Sequence, residues 1–266
     1  MKRTYGITGV ASGIGATLAA TLKAQGHFIV GFDLSETKQN VDHFIALDLS
    51  DPDAITRAAA ATPVALDGLC NNAGLPPREG LEVALLQVNF LGPRAFTHAM
   101  LPHLNAGASI VNMASRAGHR WRDSLEQVKR FAVLSNPAQL LDFIDAEGLD
   151  PTRCYDLSKE AMILWTVAMT EAFLARDMRI NSVSPGAVST GILDDFERAF
   201  GERMTRNVAR TGRPGTPQEV ADVAAYLLSP ASQWIKGEDI AIDGGMGAFN
   251  MCDALGFDVL QGQGAH

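Results

Sequence analysis

Residues 8–15 have the sequence Thr-Gly-Val-Ala-Ser-Gly-Ile-Gly, and this stretch decides the fold of the chain. It follows a short apolar segment typical of a strand, and it opens a segment that favours a helix. Glycine at positions 9, 13 and 15 leaves room for a tight turn, for a pyrophosphate close to the backbone and for packing of the helix on the strand. A flexible turn is the alternative interpretation, but the flanking strand and helix favour a dinucleotide-binding loop.

Segments typical of strands and of helices alternate along the chain, which predicts an α/β fold with a doubly wound parallel β-sheet of the Rossmann type. The predicted strands are residues 4–8, 28–33, 44–47, 68–71, 109–113, 179–183 and 239–242. The predicted helices lie near residues 13–25, 52–61, 80–104, 154–176 and 217–228. Right-handed crossovers bring the carboxyl ends of the strands to one edge of the sheet, where the ligand site is expected.

No linker divides the sequence, so we expect a single dinucleotide-binding domain over residues 1–266. Two segments interrupt the alternation. Residues 120–151 contain an inserted helical pair, because apolar side chains share one helical face over 125–132 and Pro137 starts a second helix. Residues 187–215 are too long for an ordinary connection, and we expect them to form a substrate lid.

The composition argues against several classes of function. A formal net charge of −8 disfavours a nucleic-acid partner, because such partners need clustered Lys and Arg. No apolar run reaches about 18 residues, so no membrane span is expected. The 3 cysteines form no CxxC pair and suggest free thiols in a reducing, cytoplasmic compartment. The 6 histidines form no metal-binding motif, so no metal site is expected.

Asp33 ends the second predicted strand, 18 residues after Gly15, where its carboxylate can accept both hydroxyls of an adenosine ribose. A 2′-phosphate at that place would meet a like charge. No Lys or Arg lies at positions 10–12 or 34–37 to offset that charge, so we expect NAD rather than NADP as the cofactor. A turn-forming role for Asp33 is the alternative.

Tyr155 and Lys159 stand four positions apart, so a phenol and an ammonium project from one face of a helix. A free tyrosine has a pKa of about 10 and is a poor base at neutral pH. A lysine charge at ~4 Å, with an effective dielectric near 20, favours the phenolate by about 4 kcal/mol, or roughly three pKa units before desolvation. We therefore expect the pair to act as a general acid and base near neutrality.

These motifs occur together, in order, along nearly the whole chain, and in this the chain resembles the short-chain dehydrogenases/reductases. The resemblance rests on residues 8–15, Asp48, Asn71-Asn72-Ala73-Gly74, Asn89, Ser115, Tyr155, Lys159, Pro185-Gly186, Thr190 and Asp243-Gly244-Gly245. It implies a nicotinamide-dependent alcohol dehydrogenase or carbonyl reductase. Hydride transfer develops negative charge on oxygen, so a hydroxyl donor and an acidic phenol are the minimum that such a site needs.

The resemblance also implies a role for each matching residue. Tyr155 would transfer the proton, Ser115 would hydrogen-bond the substrate oxygen, and Asn89 would hold a water that relays protons from Lys159. Lys159 would bind the nicotinamide ribose and lower the pKa of Tyr155. The residues implied to bind the cofactor are Gly9, Ser12, Gly13, Ile14, Gly15, Asp33, Leu34, Asp48, Leu49, Asn72, Ala73, Gly74, Tyr155, Lys159, Pro185, Gly186, Val188 and Thr190.

Ser115 and Tyr155 are 40 positions apart, more than in most family members, and the inserted helical pair accounts for the extra length. Such an insertion, together with Asp33 and the sequence over 67–71, is similar to the branch that contains bacterial 3α-hydroxysteroid dehydrogenase/carbonyl reductase and coniferyl alcohol dehydrogenase. The insertion either covers the substrate mouth or alters the subunit interface. We expect a homo-oligomer, a dimer rather than the usual tetramer.

The expected function is NAD-dependent interconversion of a secondary alcohol and a ketone on a bulky alicyclic, hydroxysteroid-like or aromatic small molecule. One alternative is a primary aryl alcohol or small diol dehydrogenase. An alternative of another class is a non-catalytic dinucleotide-sensing protein, whose mark would be the loss of Tyr155, Lys159 or Ser115. An apolar substrate wall is expected from Trp121, Ile192, Leu193, Phe196 and Met204.

Overall fold

Seven strands pair in parallel to form one sheet in the computed structural model, which describes residues 1–256 apart from the side chain of Arg203. The strands are β1 (Thr4–Thr8), β2 (Phe28–Asp33), β3 (His43–Ala46), β4 (Leu66–Asn71), β5 (Leu104–Met113), β6 (Arg179–Pro185) and β7 (Asp239–Ile242). Their order across the sheet is β3-β2-β1-β4-β5-β6-β7. The predicted Rossmann-type fold is confirmed. The last ten residues of the domain predicted over 1–266 lie outside the described residues.

Helices cover both faces of the sheet, as a parallel sheet requires. They are α1 (Gly13–Ala24), α2 (Pro52–Ala60), α3 (Glu82–Leu86), α4 (Gly92–Met100), α5 (Leu125–Ala132), α6 (Leu140–Glu147), α7 (Pro151–Ala168), α8 (Thr170–Leu174), α9 (Leu193–Thr211), α10 (Pro217–Leu228) and α11 (Met246–Leu255). One core, which includes Phe90, Phe96 and Phe131, contains residues of α2 to α7. The other, which includes Leu18 and Leu227, contains residues of α1 and α10. No helix among the described residues is both long and apolar enough to cross a membrane.

The order of the strands reverses between β1 and β4. β1 pairs with β2 on one side and with β4 on the other, so their carboxyl ends at Thr8 and Asn71 lie on either side of one crevice. Such a switch point is where an open α/β sheet binds its ligand. The Thr8 hydroxyl accepts hydrogen bonds from the backbone N–H groups of Asn72 and Ala73, both at 3.0 Å. These bonds fix the backbone that follows β4 beside the crevice.

The inserted pair consists of α5 and α6, which pack against α3 and α7. Phe131 of α5 contacts Phe90 and Phe143, with ring centroids 5.2 and 5.8 Å apart. The Arg94 guanidinium donates hydrogen bonds to the carbonyl groups of Ala132 and Leu134 at the end of α5. The insertion is thus joined firmly to the helices on one face of the sheet.

Two helices replace segments for which no helix was predicted. Residues 187–215, predicted as a lid of unspecified structure, contain α9, which bends at Gly201 (φ 49°, ψ −133°), a conformation open mainly to glycine. α11 follows Gly245 near the end of the described chain. A third difference is the start of α7, which begins at Pro151 rather than at 154, because the Asp150 side chain caps it by accepting from Arg153 N–H.

Candidate active site

A cleft of about 350 Å³ opens at the switch point of the sheet. Glycine-rich backbone forms one side of it, and the start of α7 with the end of β5 forms another. The segment from Ile192 to Asn207 closes it from above. Of the predicted residues, the cleft is lined by Gly9, Ser12, Gly13, Ile14, Asn72, Ala73, Gly74, Ser115, Tyr155, Lys159, Pro185, Gly186, Val188 and Thr190.

Gly15 shows why this turn needs glycine. A Cβ atom at Gly15 would lie 2.1 Å from the Gly9 carbonyl oxygen and 2.5 Å from Asn72 Nδ2, so no side chain fits. The Asn72 amide donates to the carbonyl oxygens of Thr8 and Gly9 at 3.0 and 3.2 Å and holds the loop against β4. The N-terminus of α1 therefore opens directly into the cleft, and its free N–H groups suit a phosphate. These features fit a dinucleotide pyrophosphate.

Five of the predicted cofactor residues lie outside the lining of the cleft, namely Gly15, Asp33, Leu34, Asp48 and Leu49. Asp33 accepts hydrogen bonds from the N–H groups of Ala11 and Ser35, both at 2.9 Å, which places its carboxylate beside the glycine loop. Leu34 is exposed, Leu49 is buried, and Asp48 accepts from Ser50. Asp33 ends β2, and Leu34, Asp48 and Leu49 follow β2 or β3 at the same edge of the sheet.

Tyr155, Ser115 and Lys159 converge at the floor of the cleft. The Ser115 side chain lies beside Tyr155 and acts to lower the pKa of the phenol. Ser115 Oγ also accepts from the N–H of Ala117 at 3.1 Å. Lys159 Nζ donates to the carbonyl oxygen of Met113 at 3.0 Å and lies 5.6 Å from the centroid of the Tyr155 ring. One hydroxyl, one phenol and one ammonium therefore line the same part of the cleft.

Burial controls the ionisation of the pair. It lowers the pKa of Lys159 to about 8 and raises the pKa of Tyr155, against the weaker opposing effect of the Ser115 side chain. For Tyr155 this direction is opposite to the one expected from the sequence. Phe196 and Phe200 of α9 explain part of the difference, because their ring centroids lie 5.3 and 6.2 Å from that of Tyr155 and shield it from solvent.

Asn89 lies in a π-helical stretch, Gln87–Leu91, between α3 and α4. Its side chain accepts from the N–H of Leu75 at 2.7 Å and donates to the carbonyl oxygen of Leu75 at 3.0 Å. A Cβ atom placed on Gly74 would lie 3.1 Å from Asn89 Oδ1 and 3.6 Å from Lys159 Nζ. Both polar side chains therefore border the same small space beside the cleft.

Ion pairs hold both ends of the segment that lies above the cleft. Asp195 is buried beside Phe196 and forms ion pairs with Arg78, at 2.5 Å, and with Arg198. The hydrogen bond from Arg78 lowers the pKa of the Asp195 carboxyl. At the other end of α9, Arg210 pairs with Asp253 of α11. These contacts hold the aromatic side chains of α9 over Tyr155.

The predicted apolar wall is partly wrong. Ile192, Phe196 and Met204 line the cleft, but Trp121 and Leu193 do not. The Trp121 ring lies under the Arg122 guanidinium, 4.1 Å from it, after a 3₁₀ turn that carries it away from Ser115. The lining residues that sequence reasoning missed are Leu75, Met113, Ala114, Arg116, Ala117, Ala187, Gly191, Phe200, Asn207 and Met246. The spacing of positions 196, 200, 204 and 207 would have revealed Phe200 and Asn207 if the segment had been predicted as a helix.

Comparison with known proteins agrees with this geometry. Residues 3–125 match the family described as short chain dehydrogenase, and residues 142–247 match the one described as Enoyl-(Acyl carrier protein) reductase. The chain is 36% identical over 242 residues to coniferyl-alcohol dehydrogenase of a Pseudomonas species, covering 90% of this chain and 94% of that protein. The chain belongs to the short-chain dehydrogenase/reductase family.

Two further relatives support the same conclusion about this family member. It is 30% identical to 3-alpha-hydroxysteroid dehydrogenase/carbonyl reductase of Comamonas testosteroni over 91% of this chain and 95% of that protein. The crystal structure of 3-alpha-hydroxysteroid dehydrogenase from a Pseudomonas species, complexed with NADH, superposes with a TM-score of 0.81, at 30% identity and over 92% and 97% of the two chains. The protein is thus an oxidoreductase of this family that acts on alcohols.

The gap between the two family matches coincides with the insertion. Neither match covers residues 126–141, which span most of α5 and the start of α6. No residue of 120–151 lines the cleft among the described residues. Of the two places considered for the insertion, the structure therefore shows it away from the cleft, on the outer side of α3 and α7.

Proposed function

We propose that this protein is an NAD-dependent dehydrogenase that interconverts a secondary alcohol and a ketone on a bulky alicyclic or aromatic substrate. The observation that carries the proposal is the convergence of the Ser115 hydroxyl, the Tyr155 phenol and the Lys159 ammonium on the floor of an apolar cleft. The other side of that cleft is a glycine cradle suited to a dinucleotide.

Ser115, Tyr155 and Lys159 each have a separate role in the proposed reaction. Ser115 donates a hydrogen bond to the substrate oxygen and orients it toward Tyr155. Tyr155 takes the hydroxyl proton during oxidation and returns it during reduction. Lys159 stabilises the phenolate that forms in between. When bound, the nicotinamide accepts or supplies the hydride. Because the phenol is buried, solvent does not compete for the proton in transfer.

Asn89 is proposed to hold the water that relays protons from Lys159, and it also positions the backbone of Leu75. Support comes from the space beside Gly74, which both Asn89 and Lys159 border. The double hydrogen bond to Leu75 keeps this side chain in one orientation. The π-helical stretch that carries Asn89 is a geometry often found at functional sites.

The cofactor preference is proposed to depend on Asp33. Its two anchored oxygens each keep a lone pair for a ribose hydroxyl, and its charge repels a 2′-phosphate. We expect kcat/KM with NAD to exceed that with NADP by at least about tenfold, and Asp33→Ser to reduce this ratio by a similar factor. Glu36→Gln, which removes an exposed carboxylate three positions on, serves as the control and should leave the ratio unchanged. A wild-type preference for NADP would contradict the proposal.

The substrate class is proposed from the apolar wall and from the relatives. A specific observation favours a primary aryl alcohol as a second candidate, because the relative that is 36% identical is a coniferyl-alcohol dehydrogenase. A panel of steroids, aryl alcohols and cyclic diols, screened by NADH absorbance, separates the candidates. We expect turnover of at least one bulky secondary alcohol. Normal NADH binding without turnover of any member would instead favour a dinucleotide-sensing protein.

We propose that the chain acts as one nucleotide-binding unit, with α9 as its substrate lid, and assembles as a homodimer in the cytoplasm. The insertion supports a dimer because α5 and α6 cover the outer side of α3 and α7, near which the family usually builds an interface. The free thiols of Cys70, Cys154 and Cys252 suit a reducing compartment. Light scattering on the purified protein tests the assembly, and the mass of a tetramer would refute the dimer.

A further inference from the structure

The face of α9 that looks into the cleft is apolar except at one position. Phe196, Phe200 and Met204 line the cleft from above, and Asn207 continues the same face. On the opposite walls, Leu75, Ala117 and Met246 are apolar as well. A carboxamide in such surroundings needs an explanation, because an unpaired amide in an apolar site costs free energy.

The Asn207 side chain has no hydrogen bond to any part of the chain that the structure describes, and it is only partly buried. Two other polar side chains of the lining are already engaged. Arg116 forms an ion pair with Asp243 at 2.9 Å, and Lys159 bonds the Met113 carbonyl oxygen. The Asn207 amide therefore offers a free donor and a free acceptor to whatever fills the cleft.

Asn207 and Phe196 line the cleft from different turns of α9. Asn207 lies 11 positions after Phe196, whose ring contacts the Tyr155 ring at 5.3 Å between centroids. Eleven residues of straight helix would span about 16 Å. The bend at Gly201 makes the actual separation shorter. A substrate that reaches both Tyr155 and Asn207 must therefore extend along α9 from Phe196 toward Asn207.

We propose that Asn207 is a specificity-determining residue that hydrogen-bonds an oxygen at the far end of the substrate. The enzyme then selects an elongated aromatic or alicyclic alcohol with a second oxygen, such as a phenol or a ring ketone, remote from the reacting carbon. The proposal rests on the proposed function. A site that pairs a substrate oxygen discriminates against the analogue that lacks it, because the amide is then covered by the substrate but left unpaired.

Two matched substrate pairs test this role. The first is para-hydroxycinnamyl alcohol with cinnamyl alcohol, and the second is androsterone with its analogue that lacks the ring-D ketone. For the scaffold that is turned over, Asn207→Leu should lower kcat/KM about tenfold or more for the oxygen-bearing member and less than about twofold for the other. Asn207→Asp keeps an acceptor and loses the donor. It should therefore retain more of the wild-type kcat/KM for the substrate with a phenol than for the substrate with a ketone.

Met204→Leu is the matched control, since it changes an apolar side chain one turn away on the same face. It should alter both members of a pair by the same factor. An equal effect of Asn207→Leu on both members, or no effect, would refute the role of Asn207 while leaving the proposed function intact. If the wild-type enzyme turns over none of the four compounds, both the role of Asn207 and the proposed function are contradicted.

Discussion

Replacing Tyr155 by phenylalanine is expected to lower kcat by about a thousandfold while changing NADH affinity by less than about twofold. The change deletes only the phenolic oxygen, so the ring still fits against Phe196 and Phe200. The substrate oxygen then has no group that can accept or return its proton. Loss of a positioned general acid and base costs roughly 10²- to 10⁴-fold in rate. Steady-state kinetics gives the first quantity, and quenching of protein fluorescence by NADH gives the second.

Tyr226 offers a matched control for this experiment. It is an exposed tyrosine of α10 whose hydroxyl lies 3.4 Å from the Ala231 carbonyl oxygen, far from the cleft lining. Tyr226→Phe removes the same atom and should leave both kcat and NADH affinity unchanged. If Tyr155→Phe keeps more than about a tenth of the wild-type kcat, the proton passes through another group and the proposed mechanism fails.

The sheet and the nucleotide side of the cleft could be predicted because local sequence determines them. Residues 8–15 need glycine for contacts within the loop itself, and the clash at Gly15 involves Gly9, only six positions away. The seven strands were predicted near their observed positions because buried parallel strands have continuous apolar sequences. The inserted helices followed from apolar side chains that recur at helical spacing.

The substrate side of the cleft could not be predicted in the same way, because distant residues determine it. α9 has polar residues on most of its surface and a glycine at its centre. It is held by Arg78, more than a hundred positions earlier, and by Asp253, near the end of the described chain. No local pattern reveals those pairs, and without the helix the positions of Phe200 and Asn207 stay hidden.

The direction of the Tyr155 pKa shift shows the same limit. The spacing of Tyr155 and Lys159 suggested that attraction between charges would dominate. The structure shows that both groups are buried, and burial opposes the charged form of each. How deeply the pair is buried depends on the position of α9, so the balance of these effects required the whole fold. Burial of Tyr155 and Lys159 is unfavourable for the stability of the protein, and only their function explains why both groups are buried.

Lys159→Met is expected to stabilise the nucleotide-free protein at pH 7 while lowering kcat/KM by at least a hundredfold. Burial lowers the pKa of Lys159 from 10.5 to about 8. At pH 7 the lysine is charged in both states, so the folded protein bears a cost of about 3 kcal/mol. Methionine removes this cost but forfeits the bond to Met113, worth about 1 kcal/mol. The net gain of about 2 kcal/mol should raise Tm by roughly 5 °C.

The pH dependence of this gain distinguishes burial of charge from better packing. Between the folded pKa of about 8 and the unfolded value of 10.5, the unfolded chain binds more protons than the folded protein. The stability of the wild type therefore rises with pH in that window, whereas this group no longer contributes in the variant. The difference in Tm should be largest at pH 7 and should shrink by pH 9.5. Lys129→Met, which removes an exposed lysine of α5, should change Tm little at either pH. A gain that stays constant with pH would mean that packing, rather than the buried charge, sets the stability of this site.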